Sequence, residues 1–397
     1  MKKLFKLLFV SLLVVACSSD DDSGGPGGPG GPTIPDDDDD DDVIESNIGN
    51  PDAEAIAGFT YIPTDLPLDI VDYPIGNIVS AQKLASSTAD NLLFKDILLA
   101  EYNSITAEND MKPNNMFLGP DEEDYDYSDG DAIVAYAKAN NLRVHGHVLV
   151  WHSQQPGWFS SFAGTDEEFE EAILNYVTNT VAHFAEEKLP SGESVVASWD
   201  VVNEVFEQPG NVIYTRTSED FVAKCFIAAR AGDPDVKLFY NDFNIAGDTG
   251  KRNNILDMVN DFLDRDIPID GIGMQMHLNH DWPSNDLPTS IEDIAATGLL
   301  VHVSELDVKI NYGGSTPITL STTQASAQEL QYQRAAFYYN SLVPEAQQYG
   351  ITIWGFRDTE SWLYNGGRDW PLIHDSNFNY KISHKGFVNG LKGLNPE

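Results

Sequence analysis

The sequence predicts an α/β protein, a (β/α)8 TIM barrel preceded by a disordered N-terminal tether. Three observations predict it. Apolar, strand-like runs alternate with helical stretches from about residue 60 onward. There are eight of each in about 335 residues. Polar and aromatic side chains gather after the ends of those runs, on one side of the expected barrel. A doubly wound open sheet is the alternative, but it would need a Gly-rich phosphate loop after an early strand, and none is present.

The first element is a leader. MKKLFKLLFVSLLVVAC carries Lys2, Lys3 and Lys6, an apolar run through Val15, then Ala16-Cys17. The basic start and short apolar stretch match an export signal and are short for a membrane span. Ending on cysteine, the leader resembles a bacterial lipoprotein signal, which implies that Cys17 is lipidated and becomes the mature N-terminus. The SSDDD that follows resembles the acidic tag of Bacteroidetes-type lipoproteins, which implies an exported, outer-membrane lipoprotein facing the cell exterior. An ordinary cleaved signal with a coincidental cysteine is the competing reading.

Residues 18–55 form the second element, the tether. GGPGGPGGP precedes seven aspartates, Asp36 to Asp42. Without apolar content nothing offsets the entropy of ordering, and the like charges repel. The aspartate run could hold calcium weakly; a solvated spacer is the expectation. Residues 56–397 are the barrel domain.

Within that domain the apolar runs predict strands near 77–82, 102–107, 142–150, 195–202, 237–241, 270–274, 300–305 and 351–356. Helices are predicted near 91–100, 131–140, 166–188, 218–231, 251–265, 290–297, 325–348 and 383–392. The third helix shows the reasoning. Thr165 with Glu168 makes a capping box, and Phe169, Ile173, Tyr176, Val177 and Phe184 fall on one face. Cys225, in the apolar FVAKCFIAAR of the fourth helix, reads as a core residue. With Cys17 the only other cysteine, a disulfide-stapled domain is excluded.

Charge narrows the partners. The chain has 63 acidic and 23 basic residues, a net charge of −40. Residues 1–50 account for ten Asp, one Glu and three Lys, leaving 52 acids against 20 bases. Such a surface repels phosphate backbones, so nucleic acid and anionic membrane surfaces are not expected partners. A neutral substrate suits it.

The strand ends carry the chemistry. The second offers Glu108, Asn109 and Lys112; the third His147, Trp151, His152 and Gln154; the fourth Asn203 and Glu204; the fifth Asn241 and Asp242. The sixth offers Gln275 and His277, the seventh Glu305 and Asp307, and the eighth Trp354 with Trp362 in its loop. A lone polar residue at a strand end is usually structural; this many at one end points to a cleft. All seven tryptophans lie in the third, fourth, sixth and eighth strands or the loops after them, and two or three are expected in the core. The others suit a sugar cleft, with ring faces for C–H surfaces and amides for hydroxyl pairs. Glu204 and Glu305, from opposite strands, are spaced to flank a glycosidic bond. Retaining cleavage needs two carboxyl groups roughly 5–5.5 Å apart, a nucleophile and an acid held protonated by an apolar pocket.

These residues closely resemble glycoside hydrolase family 10, the endo-β-1,4-xylanases. The matching stretches are TAENDMKP, GHVLVWHSQ, WDVVNE, YNDFN, GIGMQMHL, SELD and TIWGF…SW, in family order from about 75 to 390. The resemblance implies a retaining endo-β-1,4-xylanase with Glu204 as acid/base and Glu305 as nucleophile. It implies that His277 and Asp307 keep the nucleophile ionised, and that Asn203 meets the sugar 2-hydroxyl. Glu108, Asn109, Lys112, His147, Trp151 and Gln154 would hold the glycone, with Gln275 behind them and Trp354 and Trp362 as floor and rim. It implies no cofactor and no metal, xylan and xylo-oligosaccharides as partners, and a monomer. Three departures stand out: Phe243 where tyrosine is usual, Arg357 where a smaller or neutral residue is usual, and a proline-poor YKISHKG ending. The loop HDWPSNDLP would extend the aglycone side. A surface xylan-binding lipoprotein without turnover and a β-1,4-glucanase of the same mechanism are the alternatives; the intact glutamate pair speaks against the first.

Overall fold

The eight apolar runs fold as eight parallel strands that close on themselves. The computed structural model describes residues 60–311 and 313–397. Cys17, the tether and the first residues of the predicted barrel domain lie outside the described residues. The strands are β1 (Ile75–Val79), β2 (Ser104–Ala107), β3 (Arg143–Gly146), β4 (Val196–Asn203), β5 (Lys237–Asp242), β6 (Gly271–Met274), β7 (Leu300–Lys309) and β8 (Gln348–Ile353). Each pairs with the next, and β8 pairs with β1 through Ile75↔Ile351 and Asn77↔Ile353, which closes the ring. Two short strands lengthen it. Val150–Trp151 runs beside β4, and His277–Asn279 beside β7.

The helices predicted from periodicity are all present: 89–101, 128–139, 166–185, 221–232, 249–264, 286–295, 322–342 and 382–391. Boundaries moved for local reasons. The sixth begins at Asp286, four residues early, because Pro288 sits in the first turn, where its missing N–H is no loss. The seventh begins at the capping box of Ser321 and Gln324 and stops before Pro344. The third has its predicted capping box, with Thr165 N donating to Glu168 Oε2 at 2.7 Å and Glu168 N to Thr165 Oγ1 at 3.2 Å. Cys225 is buried, as expected.

Inside the ring the packing is largely polar. His145 of β3 meets His302 of β7 with ring centroids 4.7 Å apart, and both meet Phe239 of β5. Strands so far apart around the ring can touch only across its interior. Each imidazole has one local partner: His145 Nδ1 bonds Ser198 Oγ at 2.7 Å, and His302 Nε2 bonds Thr352 Oγ1 at 3.0 Å. The apolar strand residues, such as Val196, Val201, Leu238 and Ile272, are buried in the large hydrophobic cluster shared with the helices.

Candidate active site

Strand β4 answers why an apolar run should end in Asn203-Glu204. The β4–β5 register slips between Asp200 and Val202, a bulge of one residue. A bulge exchanges the two faces of a strand. Asp200 faces His145 and His147 inside the ring, and Asn203, three residues on rather than two or four, also faces inward. Glu204 then takes a left-handed backbone, φ 57°. Its N–H donates to the Asn241 carbonyl at 3.0 Å, which anchors the turn.

Glu305 reaches the same place by a second bulge. The sequence predicts that the seventh strand ends there; instead β7 continues to Lys309, because His277–Asn279 gives it a further partner. Its register against β8 slips between Val303 and Leu306. Ser304 and Glu305 consequently both face Asn241: Ser304 Oγ donates to its Oδ1 at 2.6 Å, and its Nδ2 donates to Glu305 Oε1 at 2.8 Å.

Two amides bracket the two glutamates. Asn241 takes the Glu204 N–H on its carbonyl and donates to Glu305 through its side chain. Gln275 does the reverse. Its Nε2 donates to Glu204 Oε1 at 2.9 Å, and its carbonyl accepts the Glu305 N–H at 3.0 Å. Glu204 also receives Trp151 Nε1 on Oε2 at 2.8 Å and Asn203 Nδ2 on Oε1 at 3.2 Å. Its surroundings are therefore a set of N–H donors rather than the apolar pocket expected.

The electrostatics around Glu305 are asymmetric. His277 Nε2 lies 3.2 Å from Glu305 Oε2, and His277 Nδ1 lies 3.0 Å from Asp307 Oδ2. Trp362 Nε1 donates to the same Asp307 oxygen at 2.9 Å. Burial alone would lower the His277 pKa, but Asp307 and Glu305 push it up to about 10. Burial alone would raise Glu305, but the His277 hydrogen bond and the His147 charge hold it below its ordinary value.

A cleft of about 430 Å³ opens over these groups. Its lining contains Glu108, Asn109, Lys112, His147, Trp151, Gln154, Asn203, Glu204, Gln275, His277, Glu305, Trp354 and Trp362. Asp307 lies beneath, behind His277. Lys112 Nζ donates to Asn109 Oδ1 at 3.1 Å and stands 5.1 Å from the Trp151 ring centre. Burial lowers the Lys112 pKa against the pull of Glu305, Glu108 and Glu204, and burial raises Glu108. His147 is fixed by Asp200 Oδ2 at 2.9 Å, an atom that His145 Nε2 also approaches at 3.0 Å. Burial would raise Asp200, but these imidazoles hold it well below the usual carboxylate range.

Several expectations need correction. Trp199 and Trp370 are buried and Trp158 packs on Phe117, the two or three expected in the core, but Trp282, expected in the cleft, is held by backbone bonds to Asn279 and is not in its lining. Arg357 does not line the cleft; it pairs with Asp90 and Glu360, both at 3.0 Å, and covers the Phe378 ring. Trp282 of HDWPSNDLP borders a small neighbouring pocket with Gln275 and His277, and Asp286 pairs with Arg252 at 2.7 Å. Phe243 lines the cleft, with Lys251 Nζ 3.4 Å above its ring. Sequence reasoning gave no role to Asp200, although an aspartate inside an apolar strand was the available signal. It also gave none to Asn241 or to His152, whose Nε2 lies 3.8 Å from Glu204 Oε2 and whose pKa burial lowers.

Comparison with known proteins agrees with this geometry. Residues 70–390 match the profile described as glycosyl hydrolase family 10. Endo-beta-1,4-xylanase Xyn10C of Cellvibrio japonicus is 34% identical over 350 residues, covering 81% of this chain. This chain spans only 56% of that relative's length. A beta-1,4-xylanase of Dictyoglomus thermophilum is 34% identical over 304 residues, 72% of this chain and 82% of its own length. Among solved structures, a mutant of xylanase10C from Cellvibrio japonicus in complex with xylopentaose aligns with a TM-score of 0.76 at 33% identity, covering 85% of this chain and 71% of the other.

Proposed function

The chain belongs to glycosyl hydrolase family 10, and on that premise we propose that it is a retaining endo-β-1,4-xylanase working by double displacement. The observation that carries the reading is the bracket: two carboxylates from β4 and β7, held in one cleft by the same two amides. Glu305, kept ionised beside a cationic His277, is the nucleophile. Glu204 is the acid, then the base. Glu305 attacks the anomeric carbon as the glycosidic C–O bond breaks, and Glu204 gives its proton to the departing oxygen. Water then attacks the glycosyl-enzyme, returns a proton to Glu204 and frees Glu305.

The remaining side chains position the sugar. Asn203 meets the 2-hydroxyl beside the reacting carbon. His147, oriented through Asp200, joins Glu108, Asn109, Lys112 and Gln154 in binding xylose hydroxyls, with Trp151, Trp354 and Trp362 as apolar faces. Close walls there favour xylose, since a hydroxymethyl group at carbon 5 needs room.

The test is hydrolysis of xylan by the full chain and by two variants. Glu204→Ala should react rapidly with aryl xylobiosides bearing good leaving groups and accumulate the glycosyl-enzyme; Glu305→Ala should lose both steps. Equal losses with every leaving group would contradict the roles. Absence of new reducing ends would favour a binding protein, and faster turnover of cello- than xylo-oligosaccharides a glucanase.

We infer further that the protein is exported and anchored in the outer membrane through Cys17, with residues 18–55 as the tether of an outward-facing, monomeric catalyst. The wild-type chain should incorporate labelled palmitate in a bacterial host and Cys17→Ala should not. An unlabelled wild type would indicate an ordinary signal peptide.

A further inference from the structure

Outside the cleft, one group of metal-ligating side chains stands out among the described residues. Glu101 ends helix 89–101, His374 follows β8, and His384 belongs to helix 382–391. All three are fully buried, and one ligating atom of each lies within 4.8 Å of the others.

The hydrogen bonds decide what this group can be. His374 Nδ1 lies 3.2 Å from the Phe356 carbonyl, which can only accept, so Nδ1 carries the proton. A neutral His374 then has a lone pair on Nε2. That nitrogen faces Glu101 Oε1 at 3.6 Å, and neither atom has a hydrogen-bond partner. Glu101 also draws on the Tyr380 hydroxyl, but two buried acceptors facing each other call for something electropositive between them, a second proton or a metal ion. His384 also converges on Glu101: its Nδ1 is bonded to the Tyr61 hydroxyl, and its Nε2 lies 3.0 Å from Glu101 Oε2. The Tyr61 hydroxyl can donate to that Nδ1, in which case Nε2 carries a proton that a metal ion would displace. Imidazoles fixed by their outer nitrogens, with the inner ones converging on a carboxylate, have the outer-shell support typical of metal-binding histidines.

We propose that Glu101, His374 and His384 bind one divalent transition-metal ion, Zn2+ by the chemistry of the donors, as a structural clip. Bonds of about 2.0–2.2 Å place tetrahedral ligands roughly 3.4 Å apart. His384 Nε2 lies 3.0 Å from Glu101 Oε2 and His374 Nε2 lies 3.6 Å from Glu101 Oε1, one imidazole to each carboxylate oxygen, so a small rotation of the carboxylate brings one oxygen to both. Ca2+ and Mg2+ are poor fits, because they require more oxygen ligands than one carboxylate supplies. The three ligands are covered by Tyr61 and Tyr380, whose rings pack on His384 with centroids 5.7 and 4.7 Å away and line a surface depression of about 420 Å³. The bound ion would tie the first long helix to the last, across 283 residues of chain.

The experiment uses untagged full-length protein. Elemental analysis should find about one zinc per chain after dialysis. Stripping with dipicolinate should lower the melting temperature by about 5 °C or more, restored by Zn2+ or Co2+ and not by Mg2+ or Ca2+. Glu101→Gln and His374→Gln should lose the metal and the response to chelator while cleaving xylan at the wild-type rate. If neither variant folds, zinc K-edge absorption of the wild type must still show two imidazole nitrogens and a carboxylate oxygen at about 2.0–2.2 Å. Metal-free protein indifferent to Zn2+, folded variants that retain the metal, or an all-oxygen shell supplied by the aspartate run would each overturn the proposal.

Discussion

His277 is wedged between Glu305 and Asp307, and its charge sets the two glutamates apart. Replacing it by asparagine removes a cation from beside the carboxylate proposed as the nucleophile. The acidic limb of kcat/KM, governed by ionisation of Glu305, should then move up by about one pH unit, with kcat lowered on the order of 10²-fold. Stability gives a second readout. The His277 pKa is raised to about 10, so its contribution is complete below the unfolded value near 6.5 and vanishes as pH rises toward 10. The wild type should lose melting temperature across that window, and His277→Asn should lack this loss. A wild type and variant with parallel profiles would remove His277 from this role. The residue types involved were legible in the sequence, because Glu204, Glu305, His277 and Asp307 all follow apolar runs. The double duty of Asn241 and Gln275 was not, since half of each brace is a backbone carbonyl, which no residue type announces.

The two bulges are what turn strands into a site. Each shifts the inward face by one residue, so Asn203 and Glu305 arrive where strict alternation would have put neighbours. Sequence periodicity located the strands, since both faces are covered and the runs are continuously apolar, but for the same reason it had no alternation in which a slip could show. That is why β7 was expected to stop at Glu305. The bracket also depends on a neighbour without a side chain. Gly273 on β6 pairs with Asn241 on β5, and a Cβ there would overlap the Asn241 amide. The displaced amide lets go of Glu305 and pulls on the carbonyl that anchors Glu204. Gly273→Ala should therefore reduce kcat by about 10–100-fold and destabilise the fold by about 1–3 kcal/mol. Full activity with an altered melting temperature would show that the amide bracket is dispensable.

At the scale of the molecule, the closed ring depends on its last strand meeting its first, and outside the ring helix 382–391 packs along helix 322–342. The eightfold repeat was readable from alternation alone; the intimacy of this contact was not, because it comes from what is missing. Gly386 and Gly390 lie one turn apart and face the backbone of the other helix at Glu329 and Gln333. A Cβ on Gly390 would stand 2.7 Å from Ala336 Cβ and 2.9 Å from Phe337 N, too close for either helix to remain in place. Backbone atoms cannot rotate away as a side chain can, so the helices must separate and open the packing of Phe387 and Leu391. Gly390→Ala should cost about 1–3 kcal/mol, read as a lower melting temperature. No residue of either helix lines the cleft, so kcat on xylan should stay within about twofold of wild type below the transition. A variant as stable as the wild type would mean that the helices do not meet backbone to backbone. One that lost activity in proportion to stability would mean that the helix pair and the cleft open together.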